Sequence, residues 1–171
     1  GASRIIVSDP VAERRERALT LGATDAVDPT TDEVAFAVLD LTPGGIGVDW
    51  AFDAAGRSAL VNTGLDATRK GGTTVMVGVP GLDDPLTMPV PAGFAFAGKR
   101  LVGCLLGSCN SLRDIPRFID LARSGRLDLG ALVTARRASR AHDGRSAIVS
   151  SVAQRRPLLA RTTPTTFFAV K

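Results

Sequence analysis

Short β-branched runs and amphipathic segments alternate along residues 1–134. Arg4-Ile5-Ile6-Val7-Ser8-Asp9 is an apolar run ending in a polar turn, and the charged segment from Val11 to Leu21 stops at Gly22. That pattern predicts a strand and then a helix closed by glycine. Ala26-Val27-Asp28-Pro29 reads as a brief second strand. Thr31-Asp32-Glu33 then offers a cap and early acids to a helix carrying Val34, Ala37, Val38 and Leu41 at helical spacing, ended by Pro43-Gly44-Gly45. Gly47 to Asp53 forms a third strand, running into the tight turn Ala54-Ala55-Gly56. After it Ser58 can cap a helix to Lys70, closed by Gly71-Gly72.

Thr73 to Pro80 is apolar almost without alternation, which suits a strand covered on both faces of a parallel sheet. A connection through Pro85, Pro89 and Pro91 leads to a further strand over Lys99 to Gly107. Ser111-Leu112-Arg113-Asp114 has the spacing of a capping box, and Leu112, Ile115, Phe118, Ile119 and Ala122 share one face of the helix it opens. Strands alternating with helices in this way predict an α/β fold with a doubly wound parallel sheet, whose ligands bind outside the carboxyl ends of the strands. Asp9, Gly56, Gly78 and Gly107 fall at such ends.

Composition narrows the class. With 171 residues, 44% hydrophobic and 22% charged, the chain is long enough for one real core, and no apolar run reaches the roughly 18–20 residues of a membrane span. The first residues, Gly1-Ala2-Ser3-Arg4-Ile5, lead at once into an apolar stretch, so the start reads as cut rather than targeted. Residues 1–134 hold 13 Lys+Arg against 16 Asp+Glu, whereas residues 135–171 hold 8 Lys+Arg against Asp143 alone, so the overall +4 belongs to the tail. A body of net negative charge argues against a nucleic-acid partner. Two cysteines, Cys104 and Cys109, make no disulfide scaffold and point to a reducing, cytoplasmic setting. With His142 as the single histidine, Cys104 and Cys109 do not complete a zinc set, so no metal ligand is assigned.

Arg4-Ile5-Ile6 with Asp9, Leu21-Gly22-Ala23-Thr24, Phe52-Asp53-Ala54-Ala55-Gly56-Arg57, Val77-Gly78-Val79-Pro80 and Gly103-Cys104-Leu105-Leu106-Gly107 occur in an order that resembles the zinc-dependent medium-chain alcohol dehydrogenases. The likeness covers roughly residues 1–134 and implies a partial NAD-binding Rossmann domain. The family's zinc ligands and most of its substrate pocket belong to a catalytic domain built from earlier sequence. By resemblance, Asp9 binds the adenosine ribose hydroxyls, and Arg14 lies near the same ribose. A carboxylate there accepts both hydroxyls and repels a 2′-phosphate, favouring NAD over NADP. The plainer alternatives are a turn or cap aspartate and a solvated helix arginine. Ala54, Ala55, Gly56 and Arg57 match a turn near the adenosine side, and Val77 and Val79 match the strand end beside the nicotinamide. Cys104 and Leu106 match positions whose main-chain groups hold the carboxamide. Buried strand core is the ordinary alternative for the valines, and a small buried hydrophobe for Cys104.

The fingerprint G-x-G-x-x-G, which should join a first strand to a first helix, is not found, and Gly44-Gly45-Ile46-Gly47 closes a helix instead of opening one. The sheet is therefore expected to lack the central strand of the order 3-2-1-4-5-6, leaving two half-sheets with facing open edges and a route to homo-oligomers. Residues 135–171 form a basic tail of Arg, Ser, Thr, Ala and Pro with little periodicity apart from Ala147-Ile148-Val149 and Phe167-Phe168-Ala169-Val170, and the whole tail is expected to be poorly ordered. Its abrupt onset is what an altered reading frame in a GC-rich gene would produce. The expected function is cofactor binding for NAD-dependent alcohol or aldehyde oxidoreduction, with a thiol-adduct formaldehyde dehydrogenase also open for the parent enzyme. No catalytic residue is assigned, and the chain is expected to be inactive alone. The alternatives are a nucleotide-binding or assembly module without catalysis, and a non-functional gene fragment.

Overall fold

The computed structural model describes residues 1–88, 90–132 and 166–170. Contacts divide the chain into two units, residues 1–107 with 163–171, and residues 108–162.

The first unit is a six-stranded sheet. Its strands are β1 (Arg4–Ser8), β2 (Asp25–Val27), β3 (Val48–Asp53), β4 (Thr68–Met76), β5 (Arg100–Gly103) and β6 (Thr166–Val170), in the order β2-β1-β6-β3-β4-β5. Helices α1 (Ala12–Thr20), α2 (Val34–Asp40), α3 (Ser58–Ala67) and α4 (Pro91–Phe96) connect them. The strand–helix alternation read from the sequence is present, and the β1·β2, β3·β4 and β4·β5 pairs are parallel.

The centre of the sheet corrects the expectation of facing open edges. β6 fills the central place, antiparallel to both neighbours, with Ile6 opposite Phe168 on one side and Ala51 opposite Phe168 on the other. Four of its five residues are β-branched or aromatic, and successive side chains alternate across the sheet. Phe168 is fully buried with Ile6, Val38, Val48 and Ala51, whereas Phe167 faces the opposite side and is 38% exposed. Five residues of the expected unstructured tail are thus the strand that joins the two halves, and the sheet is mixed rather than all parallel.

α2 and α3 cover one face. Val34, Ala35 and Val38 join the core from α2, and Val61 and Leu65 are buried on α3. Gly64 lets α3 approach closely, since a Cβ there would lie 3.1 Å from Thr74 Cγ2 and 3.3 Å from Ala51 Cβ. On the other face Trp50 and Phe52 stack with ring centroids 6.3 Å apart, and Trp50 stays 43% exposed. α3 ends earlier than expected: Thr68 already belongs to β4, and Lys70-Gly71-Gly72 lie within the strand where its register with β3 shifts. A Cβ on Gly72 would sit 2.9 Å from the Arg69 carbonyl, so glycine serves that irregularity rather than a helix end.

The second unit contains α5 (Ser111–Arg123). Its cap lies one residue earlier than the sequence predicts. The Asn110 side chain accepts from the Arg113 N–H, and Asp114 accepts from the Asn110 N–H. Within this unit the Arg113 guanidinium hydrogen-bonds Asp114 and holds its carboxyl below the usual range. Leu112, Ile115, Phe118 and Ile119 share a helix face as expected but are 42–90% exposed. His142 and Ala147-Ile148-Val149 lie outside the described residues.

Candidate functional site

β1 and β3 end on either side of the start of β6, with Ser8, Thr166 and Asp53 level with one another. Strand order reverses there: the chain steps outward from β1 to β2 on one side and from β3 to β4 and β5 on the other. In an open α/β sheet this switch point is where ligands bind. Two aspartates stand at it.

Asp9 follows the last residue of β1 and is fully buried. Pro10 turns the chain, so that the Asp9 carboxylate accepts from the Val11 N–H at 2.8 Å across the opening of α1. The Arg14 guanidinium, one turn into α1, reaches Asp9 Oδ2 at 3.5 Å. Arg15 donates to the Asp9 carbonyl at 2.6 Å and pairs with Asp28 at 2.6 Å, tying β1 to the end of β2. The turn role and the position at the switch point coincide in Asp9, and Arg14 is brought beside it.

Asp53 is the last residue of β3 and 1% exposed. Its carboxylate accepts from the Ala55 N–H at 2.9 Å and from the Gly56 N–H at 3.2 Å. Burial raises its pKa, partly offset by those amides. Asp53 organises the turn and was not singled out from the sequence, although an Asp followed by small residues and Gly is a known turn signal. Gly56 has φ +71°, and a Cβ on it would meet the Val79 carbonyl oxygen at 2.7 Å. Its smallness therefore serves the approach of chain to chain, as does that of Gly78, whose Cβ would clash with the Gly56 nitrogen. Arg57 is exposed and reaches Asp84 at 3.7 Å, while Asp84 also accepts from the Ser58 N–H.

The remaining candidate residues follow β4 and β5. Val77 and Val79 lie past the end of β4 and are 39% and 79% exposed, which corrects the expectation that they are strand core. The Val77 and Gly78 amides donate to the Asp53 carbonyl. Cys104 follows β5, partly buried, and its N–H donates to the Met76 carbonyl. Leu106 is 82% exposed with φ +50°.

The zinc-binding dehydrogenase model matches residues 1–124. The chain belongs to the zinc-binding dehydrogenase family. An NDMA-dependent alcohol dehydrogenase from Amycolatopsis methanolica is 37% identical over 139 residues, covering 80% of this chain and 37% of that protein. Benzyl alcohol dehydrogenase from Acinetobacter calcoaceticus superposes with TM-score 0.75 at 26% identity, over all of this chain and 44% of that one. A zinc-binding dehydrogenase from Sinorhizobium meliloti, bound to NADP, gives TM-score 0.69 at 28% identity over 78% of this chain and 38% of that one. The chain thus spans about a third of the length of the curated relatives it matches.

Proposed function

We propose that this zinc-binding dehydrogenase chain is the nicotinamide-dinucleotide-binding part of an alcohol dehydrogenase and that it favours NAD. The observation that carries this reading is the Asp9 carboxylate at the switch point of the sheet, oriented by the Val11 amide. Two carboxylate oxygens accept the two hydroxyls of a ribose, and their charge opposes a 2′-phosphate. Arg14 supplies a neighbouring cation. The bound dinucleotide would supply a hydride acceptor or donor. The residues of this chain hold the adenosine end and the turn around Asp53, with Arg57, Val77, Val79, Cys104 and Leu106 as the further contacts implied by the family resemblance.

Zinc is a different matter. Among the described residues no three His, Cys, Asp or Glu side chains are grouped to hold a metal ion, so these residues do not fit the family's zinc. The chain is expected to give no alcohol-dependent NADH with or without added zinc; turnover by a metal-free preparation would overturn that.

Calorimetric titration of NAD and NADP into folded chain tests the cofactor reading. Saturable NAD binding, weaker for NADP and lost in Asp9→Ala, supports it; equal binding by the parent chain and Asp9→Ala defeats it. A second reading, an assembly module, draws on the outer sheet strands β2 and β5 and on Phe96, which is 90% exposed on α4. Among the described residues no helix is long and apolar enough to cross a membrane.

A further inference from the structure

Where β4 and β5 begin, at the opposite end of these strands from the Asp53 turn, lies a cavity of about 500 Å³. Leu39, Ile46, Leu65, Met88, Val90 and Phe94 give it apolar walls, drawn from α2, α3, α4 and the chain beside them. Lys99, the residue before β5, lines the same cavity and is partly buried. Its Nζ donates to the Leu65 carbonyl near the end of α3, and the Thr68 hydroxyl donates to that carbonyl at 2.8 Å. The other charged groups on the wall are engaged or open to solvent: Arg69 pairs with Asp49 at 2.7 Å, and Asp66 and Lys70 are exposed. A lysine that served only to close α3 would do so best as a cation, since a helix C-terminus favours positive charge. Here burial wins and holds the Lys99 amine below the usual lysine range, with the Asp66 carboxylate opposing that shift.

We propose that Lys99 is an aldehyde-capturing site, its amine forming a reversible imine with an aldehyde whose apolar chain or ring occupies this cavity. A lysine desolvated among apolar side chains is the nucleophile that carbonyl carbons accept, because its lone pair is not held by a proton. The Nζ lone pair adds to the carbonyl carbon and one amine proton moves to the carbonyl oxygen, giving a carbinolamine. The C=N bond then forms as the hydroxyl group and the second amine proton leave together as water. Nothing is oxidised or reduced, and hydrolysis reverses the sequence. The Thr68 hydroxyl continues to donate to the Leu65 carbonyl, so that carbonyl keeps a donor when the amine gives up its hydrogens. The volume falls in the range of small-ligand sites, and the apolar walls select the aldehyde by its hydrocarbon part. The inference stands apart from the nucleotide reading and needs neither Asp9 nor a bound cofactor.

The test exposes the folded full chain to hexanal and, separately, to glyceraldehyde, fixes imines with cyanoborohydride and locates the resulting secondary amines by peptide mass spectrometry. Lys70 and Lys171 are the other lysines of the sequence and serve as internal references. With hexanal, Lys99 is expected to carry most of the lysine label. The ratio of label at Lys99 to label at Lys70 should be about tenfold higher with hexanal than with glyceraldehyde, the gain from burying roughly two methylene groups. Unfolding in guanidinium chloride should abolish the preference, which an effect of neighbouring sequence alone would not require. Ile46→Glu alters the opposite wall at a side chain 62% exposed, where a carboxylate is compatible with folding, and should bring the hexanal ratio down toward the glyceraldehyde value. Lys99 labelled no more than Lys70, equal ratios for the two aldehydes, a preference that survives unfolding, or an unchanged hexanal ratio in folded Ile46→Glu overturns the proposal. The first three outcomes are read on the parent chain, so the proposal stays open to refutation even if the variant does not fold.

Discussion

Replacing Phe168 by alanine tests whether the last strand holds the sheet together. Phe168 is fully buried and packs with Ile6, Val38, Val48 and Ala51, residues that belong to both halves of the sheet. Truncating a buried Phe to Ala costs about 3–5 kcal/mol through lost transfer energy and the cavity left behind. A domain of ordinary stability has roughly 5–15 kcal/mol in all, so the loss takes a third or more of it in most cases. Because β1 and β3 meet only through β6, the substitution also loosens the ladder that joins β1·β2 to β3·β4·β5. At roughly 2–4 °C per kcal/mol for a domain of this size, the thermal midpoint should fall by roughly 6–20 °C. Calorimetry or circular dichroism melting reads this directly, with Phe167→Ala as the control on the same strand. Phe167 is partly exposed and should cost less than half as much. Equal midpoints for Phe168→Ala and the parent chain, within about 2 °C by the same conversion, would refute the central placement of β6.

The other predictions concern local devices. Asp53→Asn should flatten the dependence of stability on pH above 3.8: the folded-state pKa of Asp53 is raised, so the folded state holds the proton longer and stability falls as pH rises through that window, a slope that urea midpoints at successive pH values would show in the parent chain only. Asp28 and Asp114 have lowered pKa values and act in the opposite sense below 3.8, where stability falls as pH drops, so the two windows separate on the same titration. Gly56→Ala should destabilise by at least about 1–2 kcal/mol from its positive φ alone, and more from the clash with Val79, measured by chemical denaturation. Asn110→Ala should remove about 1 kcal/mol of helix stability from α5, visible as faster amide exchange at Ala122 and Arg123.

Much of the sheet was legible because its punctuation is local. Asp9-Pro10, Gly22 and Pro43-Gly44-Gly45 end their elements close to where the sequence predicts, and Asp9 and Arg14 were selected and are found together. Lys70-Gly71-Gly72 misled because glycine after a helix and glycine at a strand irregularity look alike in sequence; only the approach of Gly72 to the Arg69 carbonyl distinguishes them. Val77 and Val79 read as core because apolar composition was extended past the last paired residue, Met76. β6 was the least legible element. Its apolar run was visible, but its partners Ile6 and Ala51 lie more than a hundred residues away, and no local pattern encodes which slot a distant strand fills or in which direction.

That direction governs what the site can recognise. A parallel central strand would deliver the chain to the ligand end and could open a helix there, turning a row of fixed amides and a positive dipole end toward a pyrophosphate. β6 runs the other way: Thr166, its first residue, is the one level with Ser8 and Asp53, so the strand leaves the ligand end instead of arriving at it. A helix following β6 therefore cannot begin beside Asp9. Among the described residues at the cavity next to Asp9, positive charge comes from the Arg14 and Arg17 side chains, which are flexible point sources and not a preorganised cradle. Side-chain cations of this kind neutralise one phosphate more readily than they align two, and solvent ions screen them more easily than buried amides. Among the described residues, the strand that restores continuity to the sheet thus adds no helix N-terminus beside Asp9.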